Sequence, residues 1–280
     1  MKSERARVTI GMPVFNGEAT VVIAIEALLS QSFSGFRLII SNNASTDATD
    51  RICKEYAQRD TRVAYICQQR NIGADANFDF VLAQADSEYF MWAAADDTRS
   101  PDFIESNLRF LDRHTDYVGS TCRVRFVNGD YDPVKMGDES RAEPSAGGRI
   151  ASFFDTWHAN GRFYSLFRRT DLVAAKQPVS RFLASDWAIV VRLLERGKLN
   201  RLDSGSVDLG VGGTSHGCGY VASFRTRGLH WAVPLLGLTL VTIRSLSGEA
   251  ISHQAAAVCK LGWLNVKAVW AQLRFAIFRT

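Results

Sequence analysis

The chain has 280 residues, 46% of them hydrophobic and 22% charged, with a formal net charge of +4. That length can bury a sizeable core in one large domain or two modest ones, and the composition excludes a disordered chain. The charge is far below the basic excess of a dedicated nucleic-acid binder, so no nucleic-acid partner is expected.

Val8–Gly11 reads as a short apolar strand, broken by Pro13 and closed by Asn16-Gly17. Over Glu18–Ser30 the residues Val21, Val22, Ile25, Leu28 and Leu29 repeat at helical spacing. Phe36–Ile40 is a buried strand followed by the turn-rich SNNASTD, where Ser45 or Thr46 is placed to cap a helix running to Arg59. Val63–Cys67 is a third strand, followed by the polar loop QQRNIGADAN and a helix near Phe78–Gln84. Glu88–Ala95 is a fourth strand, and Ser100-Pro101 reads as N-cap and first turn of a helix ending near His114. Alternating strands and helices with short polar loops predict an α/β fold with a mostly parallel sheet covered on both faces.

Ligands of such sheets bind at the carboxyl ends of the strands. Pro13–Glu18, Ser41–Asp47 and Asp96–Ser100 fall there, and Gln69–Asn77 joins them. The apolar run Tyr89–Ala95 ends in two adjacent carboxylates, Asp96 and Asp97. Like charges at the end of a buried strand need a compensating positive group: an arginine, a helix start or a divalent cation. The pattern favours the cation, because a hard-oxygen site with few protein carboxylates suits Mg²⁺ or Mn²⁺ shared with substrate phosphates. Asn42, Asn43 and Asp47 have the groups to read the edge of a base, although a plain turn accounts for them equally well.

Beyond the alternating segment Val118–Val127 the chain becomes polar and rich in glycine, aspartate and proline over Asn128–Gly148, as in a long loop or lid. Two motifs follow, GRFYSLFRR (Gly161–Arg169) and FLASDWAIVVRLLERG (Phe182–Gly197). In the second, Ser185 is placed to cap a helix carrying Trp187, Val190, Val191 and Leu194, with Gly197 ending it. Asp186 lies at its start, suited either to capping or to general-base work. The run GVGGTSHGCGY (Gly210–Tyr220) lacks the lysine of a phosphate-binding loop and reads as a flexible loop, with His216 as a candidate phosphate or metal contact.

Helical apolar segments complete the chain, and there Lys260, Lys267 and Arg274 recur every seven residues beside Trp263 and Trp270. This is either a packed helix with a solvated basic edge or a helix lying in a membrane interface. The scattered Cys53, Cys67, Cys122, Cys218 and Cys259 form no CxxC or Cys/His cluster, which argues against a disulfide framework or a zinc site and favours a reducing compartment. With no apolar leader ahead of the first strand, a cytoplasmic location is expected, peripheral to the cytoplasmic face of a membrane if the basic helix docks there.

Together these motifs resemble the large inverting family of GT-A glycosyltransferases that build bacterial polysaccharides from nucleotide sugars. VTIGMPVFNGE is similar to the family's first strand and nucleotide loop, IISNNASTDAT to its second strand, and RNIGADANFDFVLAQADSEYFMWAAADDTRSPDF to the approach to its metal-binding acids. GRFYSLFRR resembles the acceptor-side segment and ASDWAIVVRLLERG the helix whose first acid is the base.

The resemblance implies a GT-A domain over residues 1–223, with a nucleotide-sugar half (1–127) and an acceptor half (128–223), then a helical segment over 224–280. It implies that Pro13, Phe15, Glu18 and Asn42 surround the base of a nucleotide-sugar donor, most often UDP-linked, and that Asp96, with Asp97, holds Mn²⁺ or Mg²⁺ against the diphosphate. Asp186 would deprotonate the hydroxyl of a saccharide or lipid-linked acceptor, with inversion at the anomeric carbon. The chain departs from the family pattern at Ala94, where an acid often stands, and at Asn42, where an aspartate often stands. The loss at Ala94 motivates a rival reading, a catalytically silent scaffold in a polysaccharide assembly complex. A nucleotidyltransferase ranks low, because MPVFNGEAT has no lysine or arginine.

Overall fold

The computed structural model describes residues 6–127, 137–156, 161–176, 182–210 and 229–278. Among them, eight strands form one sheet: β1 (Val8–Val14), β2 (Phe36–Asn42), β3 (Val63–Cys67), β4 (Tyr89–Trp92), β5 (Thr98–Arg99), β6 (Tyr117–Phe126), β7 (Leu166–Arg168) and β8 (Lys198–Leu209), in the order β3-β2-β1-β4-β7-β6-β8-β5. The β3–β2–β1–β4 part is parallel, as the alternating pattern predicts. The pairs β4–β7, β6–β7 and β5–β8 are antiparallel. The helices of the first half are α1 (Val21–Leu29), α2 (Thr49–Arg59), α3 (Ala74–Ala83) and α4 (Phe103–Arg113). Later come α5 (Ala146–Phe153), α6 (Arg169–Ala175), α7 (Ser185–Arg196), α8 (Leu229–Ala232), α9 (Leu236–Ser245) and α10 (Ile251–Phe278).

The chain divides into two compact units. The first comprises residues 1–130, 164–173 and 201–211. Its core is made by the parallel strands and the helices on them, including Ile10, Met12, Leu38, Ile40, Met91, Phe103 and Leu111, all enclosed. The second comprises residues 131–163, 174–200 and 212–280. There Trp187 meets Phe153 edge-on with ring centroids 5.8 Å apart, and Arg149 of α5 donates to the Leu194 carbonyl of α7 at 2.8 Å.

Strand β1 runs through Pro13 instead of breaking there. The Gly11 carbonyl accepts from the Ala93 N–H, so residues 11 and, by the two-residue period, 13 face β4. The β1–β4 pairing ends at Gly11–Trp92, so the proline's missing N–H removes no rung.

The helix starts differ from the expected caps. Ser45 and Thr46 do not cap α2, which begins at Thr49; the Ser45 hydroxyl accepts from the Asn16 N–H at 2.9 Å, and the Thr46 N–H donates to the Asn16 side chain at 2.9 Å. Ser100 does not cap α4 either, because its hydroxyl accepts from the Ser206 N–H of β8 at 3.0 Å. Gln31 takes that place, its amide oxygen accepting the Ile104 N–H at 3.0 Å. Ser185 is the first residue of α7, and the cap position is held by Ala184 in a left-handed conformation (φ 65°, ψ 36°).

The basic residues expected along one edge of α10 differ in their surroundings. Lys260 is drawn into the second unit, donating to the Ala151 carbonyl at 3.1 Å and pairing with Asp155. Lys267 remains exposed, and the Arg274 side chain lies outside the described residues.

Candidate active site

In the first unit, the loops after β1, β2 and β3 are tied into one surface at the carboxyl ends of the parallel strands. The Asn43 N–H donates to the Val14 carbonyl at 2.8 Å, and the Asn43 side chain donates to Asn71 at 2.9 Å while accepting from Ile72 at 2.8 Å. The Glu18 N–H reaches Asp47 at 3.1 Å, and the Ala48 N–H returns to the Glu18 carboxylate at 2.9 Å. Gly17 donates to the Thr49 hydroxyl at 2.8 Å. Burial pushes the Asp47 carboxyl up, but its bonds to Thr49 and Glu18 outweigh this and hold it below the ordinary value. Left-handed Asn16 (φ 50°) and Ala44 (φ 58°) turn the chain within this zipper.

Of the expected base contacts, Pro13 lies within β1, paired with Ser41 of β2, and Phe15 stands 48% exposed just past the strand. Glu18 braces the zipper through its carboxylate. Asn42 is fully enclosed: its amide nitrogen donates to the Tyr65 hydroxyl at 2.9 Å and its oxygen accepts from the Ser45 N–H at 3.0 Å. Tyr65 in turn donates to Asp50 at 2.5 Å, and Asp50 pairs with Lys54 at 2.7 Å. Burial and the bond to Asp50 raise the Tyr65 hydroxyl, whereas Lys54 and Tyr65 lower the Asp50 carboxyl. With the Tyr65 proton directed to Asp50, the group facing the tyrosine oxygen must be a donor. Asparagine meets that requirement and an ionised aspartate does not.

Asp96 and Asp97 follow the end of β4 and have different surroundings. Asp96 is half-buried, while Asp97 is 4% exposed, with one oxygen accepting from the Gly210 N–H at 2.9 Å. The other Asp97 oxygen is buried without a hydrogen-bond partner among the described residues. Burial pushes the Asp97 carboxyl up to about 6, against the opposing pull of Arg99. Arg99 is itself buried, donates to the Trp92 carbonyl at 2.9 Å and lies 5.5 Å from the Phe103 ring centroid.

Arg99 therefore offsets only part of the cost of burying the inner acid, and its Nε and Nη1 make no hydrogen bond among the described residues. Arg99 stands two residues past the pair, but TRSP reads locally as a helix start, so its turn into the core left no trace in the pattern. Gly210 was also missed as a support. A Cβ there would lie 2.4 Å from the Asp96 carbonyl oxygen, so only glycine permits this approach.

The donor set fits a hard cation on one condition. No cluster of three or more His, Cys, Asp or Glu occurs among the described residues, which offer the Asp96–Asp97 pair. The orphaned Asp97 oxygen and the half-buried Asp96 carboxylate are suitable ligands, with the remainder left to ligand phosphates and water.

In the second unit, Asp186 stands half-buried in the first turn of α7, beside buried Trp187 and directly after the Ala184–Ser185 turn. GRFYSLFRR is divided between a 3₁₀ turn (Gly161–Tyr164) and β7, and Arg162 donates to the carbonyls of Gly137 and Glu139. His216 lies outside the described residues.

Comparison with known proteins bears on the fold and the family. TarS of S. aureus superposes with a TM-score of 0.70 at 14% identity, covering 97% of this chain and 74% of that one. TarS bound to UDP-GlcNAc gives 0.66 at 15% identity over 97% and 73% of the two chains. Mannosyltransferase PcManGT from Pyrobaculum calidifontis, in complex with GDP-Man and Mn²⁺, gives 0.62 at 15% identity over 98% and 74%. These likenesses are of fold, and they identify the α/β architecture as GT-A.

In sequence, EpsE of Bacillus subtilis strain 168 is 34% identical over 112 residues, 40% of each chain. Glycosyltransferase GlyA of Streptococcus pneumoniae is 29% identical over 100 residues, 36% of this chain and 14% of that one. The chain thus matches well under half the length of these relatives. The model of the family described as "Glycosyl transferase family 2" matches residues 9–173, more than half of the chain, and the protein belongs to that family.

Proposed function

We propose that the protein transfers a sugar from a nucleotide diphosphate sugar, UDP-linked, to an acceptor hydroxyl of a cell-surface polysaccharide or glycolipid, with inversion. The observation that carries this reading is the zipper of three strand-end loops beside a paired acidic motif, in a chain of this family. Phe15 offers an exposed ring for a base, and Pro13, Glu18 and Asn42 fix the loops around it. Asp96 would be the main protein ligand of Mn²⁺ or Mg²⁺, with Asp97 anchored behind it on Gly210. When bound, the metal supplies Lewis-acid stabilisation of the departing diphosphate.

Asp186 accepts the proton of the acceptor hydroxyl as that oxygen bonds to the anomeric carbon. The bond from that carbon to the diphosphate oxygen breaks, and its electron pair leaves with the nucleotide. The 1–223 domain with its two halves, the 224–280 helical segment and a peripheral position on the cytoplasmic membrane face belong to this proposal. The scaffold reading rests on the loss of an acid at Ala94, and turnover of a sugar nucleotide that vanishes in Asp186→Asn would dispose of it.

The test is thermal stability with UDP, with and without Mn²⁺, in the parent, Asp96→Ala and Asp186→Asn. Ligand at about 100 times its dissociation constant adds roughly 2.7 kcal/mol of stability. Metal-dependent stabilisation is expected to vanish in Asp96→Ala. It should persist in Asp186→Asn, while turnover of sugar nucleotide in that variant falls by roughly 10²–10⁴-fold. Undiminished turnover in Asp186→Asn would remove that residue from the reaction.

A further inference from the structure

The helix α10 has two dissimilar faces. Ala257, Leu261, Leu264 and Ala268 are buried, and Asn265 among them caps the α9 approach by accepting from the Leu235 N–H at 2.9 Å. On the opposite face Ile251, Val258, Trp263, Val266, Trp270 and Leu273 are exposed, both tryptophans to 61%. Their positions recur at helical spacing, so they form one stripe along the helix. A stripe of large apolar side chains with two exposed indoles is more than the scattered exposure of an ordinary soluble surface.

The charges along it have one sign. From Ile251 to Thr280 the sequence contains no aspartate or glutamate, and its formal charges are Lys260, Lys267, Arg274 and Arg279. The roll of the helix is fixed by contacts on its inner side. Lys260 is held by Ala151 and Asp155, and Glu249, just before the helix, accepts from the Gly147 N–H at 2.9 Å. Lys267, about two turns beyond Lys260 along the same edge, is exposed, its ammonium 5.6 Å from the Trp263 ring centroid, so a cation and an indole are presented together.

We propose that this face of α10 docks the protein on an anionic lipid surface, with Trp263 and Trp270 entering the headgroup boundary and Lys267 meeting the phosphates. Indoles favour that boundary because one side of the ring is apolar and its N–H is polar. Cations beside them are attracted by the negative potential of the lipid. A second copy of the same face is disfavoured as occupant, since it would bring like charges together. No helix among the described residues is long and apolar enough to cross a membrane, so α10 lies on the surface. The docking deepens the proposed peripheral position. It is measured without turnover, so loss of docking and loss of transferase activity are separate results.

The experiment is co-sedimentation of the full chain with phosphatidylcholine vesicles, with and without phosphatidylglycerol, paired with sedimentation velocity in the absence of lipid. The expected result is binding that requires phosphatidylglycerol. In Trp263→Ser/Trp270→Ser, which should keep the parent's melting temperature, half-binding should need at least about tenfold more lipid. Lys267→Gln should weaken binding and reduce its dependence on phosphatidylglycerol. Absence of binding to anionic vesicles, or equal binding by the double tryptophan variant, overturns the proposal. So does a lipid-free dimer that the double variant disperses, because the face then belongs to a second copy.

Discussion

The backbone N–H of Gly210 donates to a carboxylate oxygen of Asp97 at 2.9 Å, and the same glycine lies against Asp96 with no room for a side chain. The end of β8 thereby holds both members of the acidic motif at once. Gly210→Ala forces its Cβ against backbone, which cannot rotate away, and should cost about 1–3 kcal/mol. Because the displaced atoms belong to Asp96, stabilisation by UDP with Mn²⁺ should fall as well. Melting curves with and without both ligands measure the two effects together. A variant that melts and responds like the parent would show that the clamp yields freely.

Asp97 makes the metal-free protein pH-sensitive in an unusual direction. Its carboxyl is raised from 3.8 to about 6, so between those values the folded chain holds a proton that the unfolded chain has released. Stability from this group is therefore greatest at the acid end and declines as pH rises toward 6, by about 3 kcal/mol over the window. Denaturant unfolding in chelator at pH 4.5 and 7, compared with Asp97→Asn, isolates the contribution. The difference between the two proteins should shrink at the lower pH, and a difference that grows there contradicts the assignment.

Asn42→Asp restores the acid common in the family but places it against a tyrosine oxygen whose proton already serves Asp50. With two acceptors facing each other in a closed site, the variant should lose about 1–3 kcal/mol at neutral pH. Adding Tyr65→Phe removes one of those acceptors and should recover part of the loss. A double-mutant cycle by urea unfolding gives the coupling directly, and additive effects would mean that the two side chains do not communicate.

Ala184 sits in the left-handed region immediately before α7, where an L-residue with a Cβ is strained. Ala184→Gly should stabilise the protein by about 0.5–1 kcal/mol, and Ala184→Val should destabilise it by a comparable or larger amount. Opposite signs in thermal unfolding are the expected pattern. Equal losses in both variants would instead point to a packing role for the alanine methyl.

The four parallel strands were legible because burial on both faces imposes apolar runs, unbroken at Tyr89–Trp92 and interrupted only by exposed Arg37 at Phe36–Ile40. By contrast, β5, β7 and β8 carry no such run and were not read as strands. The strand-end rule also grouped Pro13–Glu18, Ser41–Asp47 and Gln69–Asn77, which hydrogen bonds do join. Helix starts were less legible. Ser45, Thr46 and Ser100 have the chemistry of caps, but their hydrogen bonds go to Asn16 and Ser206, partners far away in sequence. A local signal cannot distinguish a hydroxyl serving its own helix from one recruited by another loop. Arg99 escaped notice for a related reason, since burial of a guanidinium depends on Trp92 and Phe103 around it and not on its immediate neighbours.

The division of the chain into two units has a consequence for how the protein can be taken apart. The backbone passes from one unit to the other at 130/131, 163/164, 173/174, 200/201 and 211/212. Neither unit can be expressed as a single continuous fragment, and a protease cut at any one junction leaves the other four covalent connections intact. Exchange of a whole unit with a relative would require several simultaneous splices in register. New specificities in this chain are therefore reached more readily by substitution within loops than by trading cassettes.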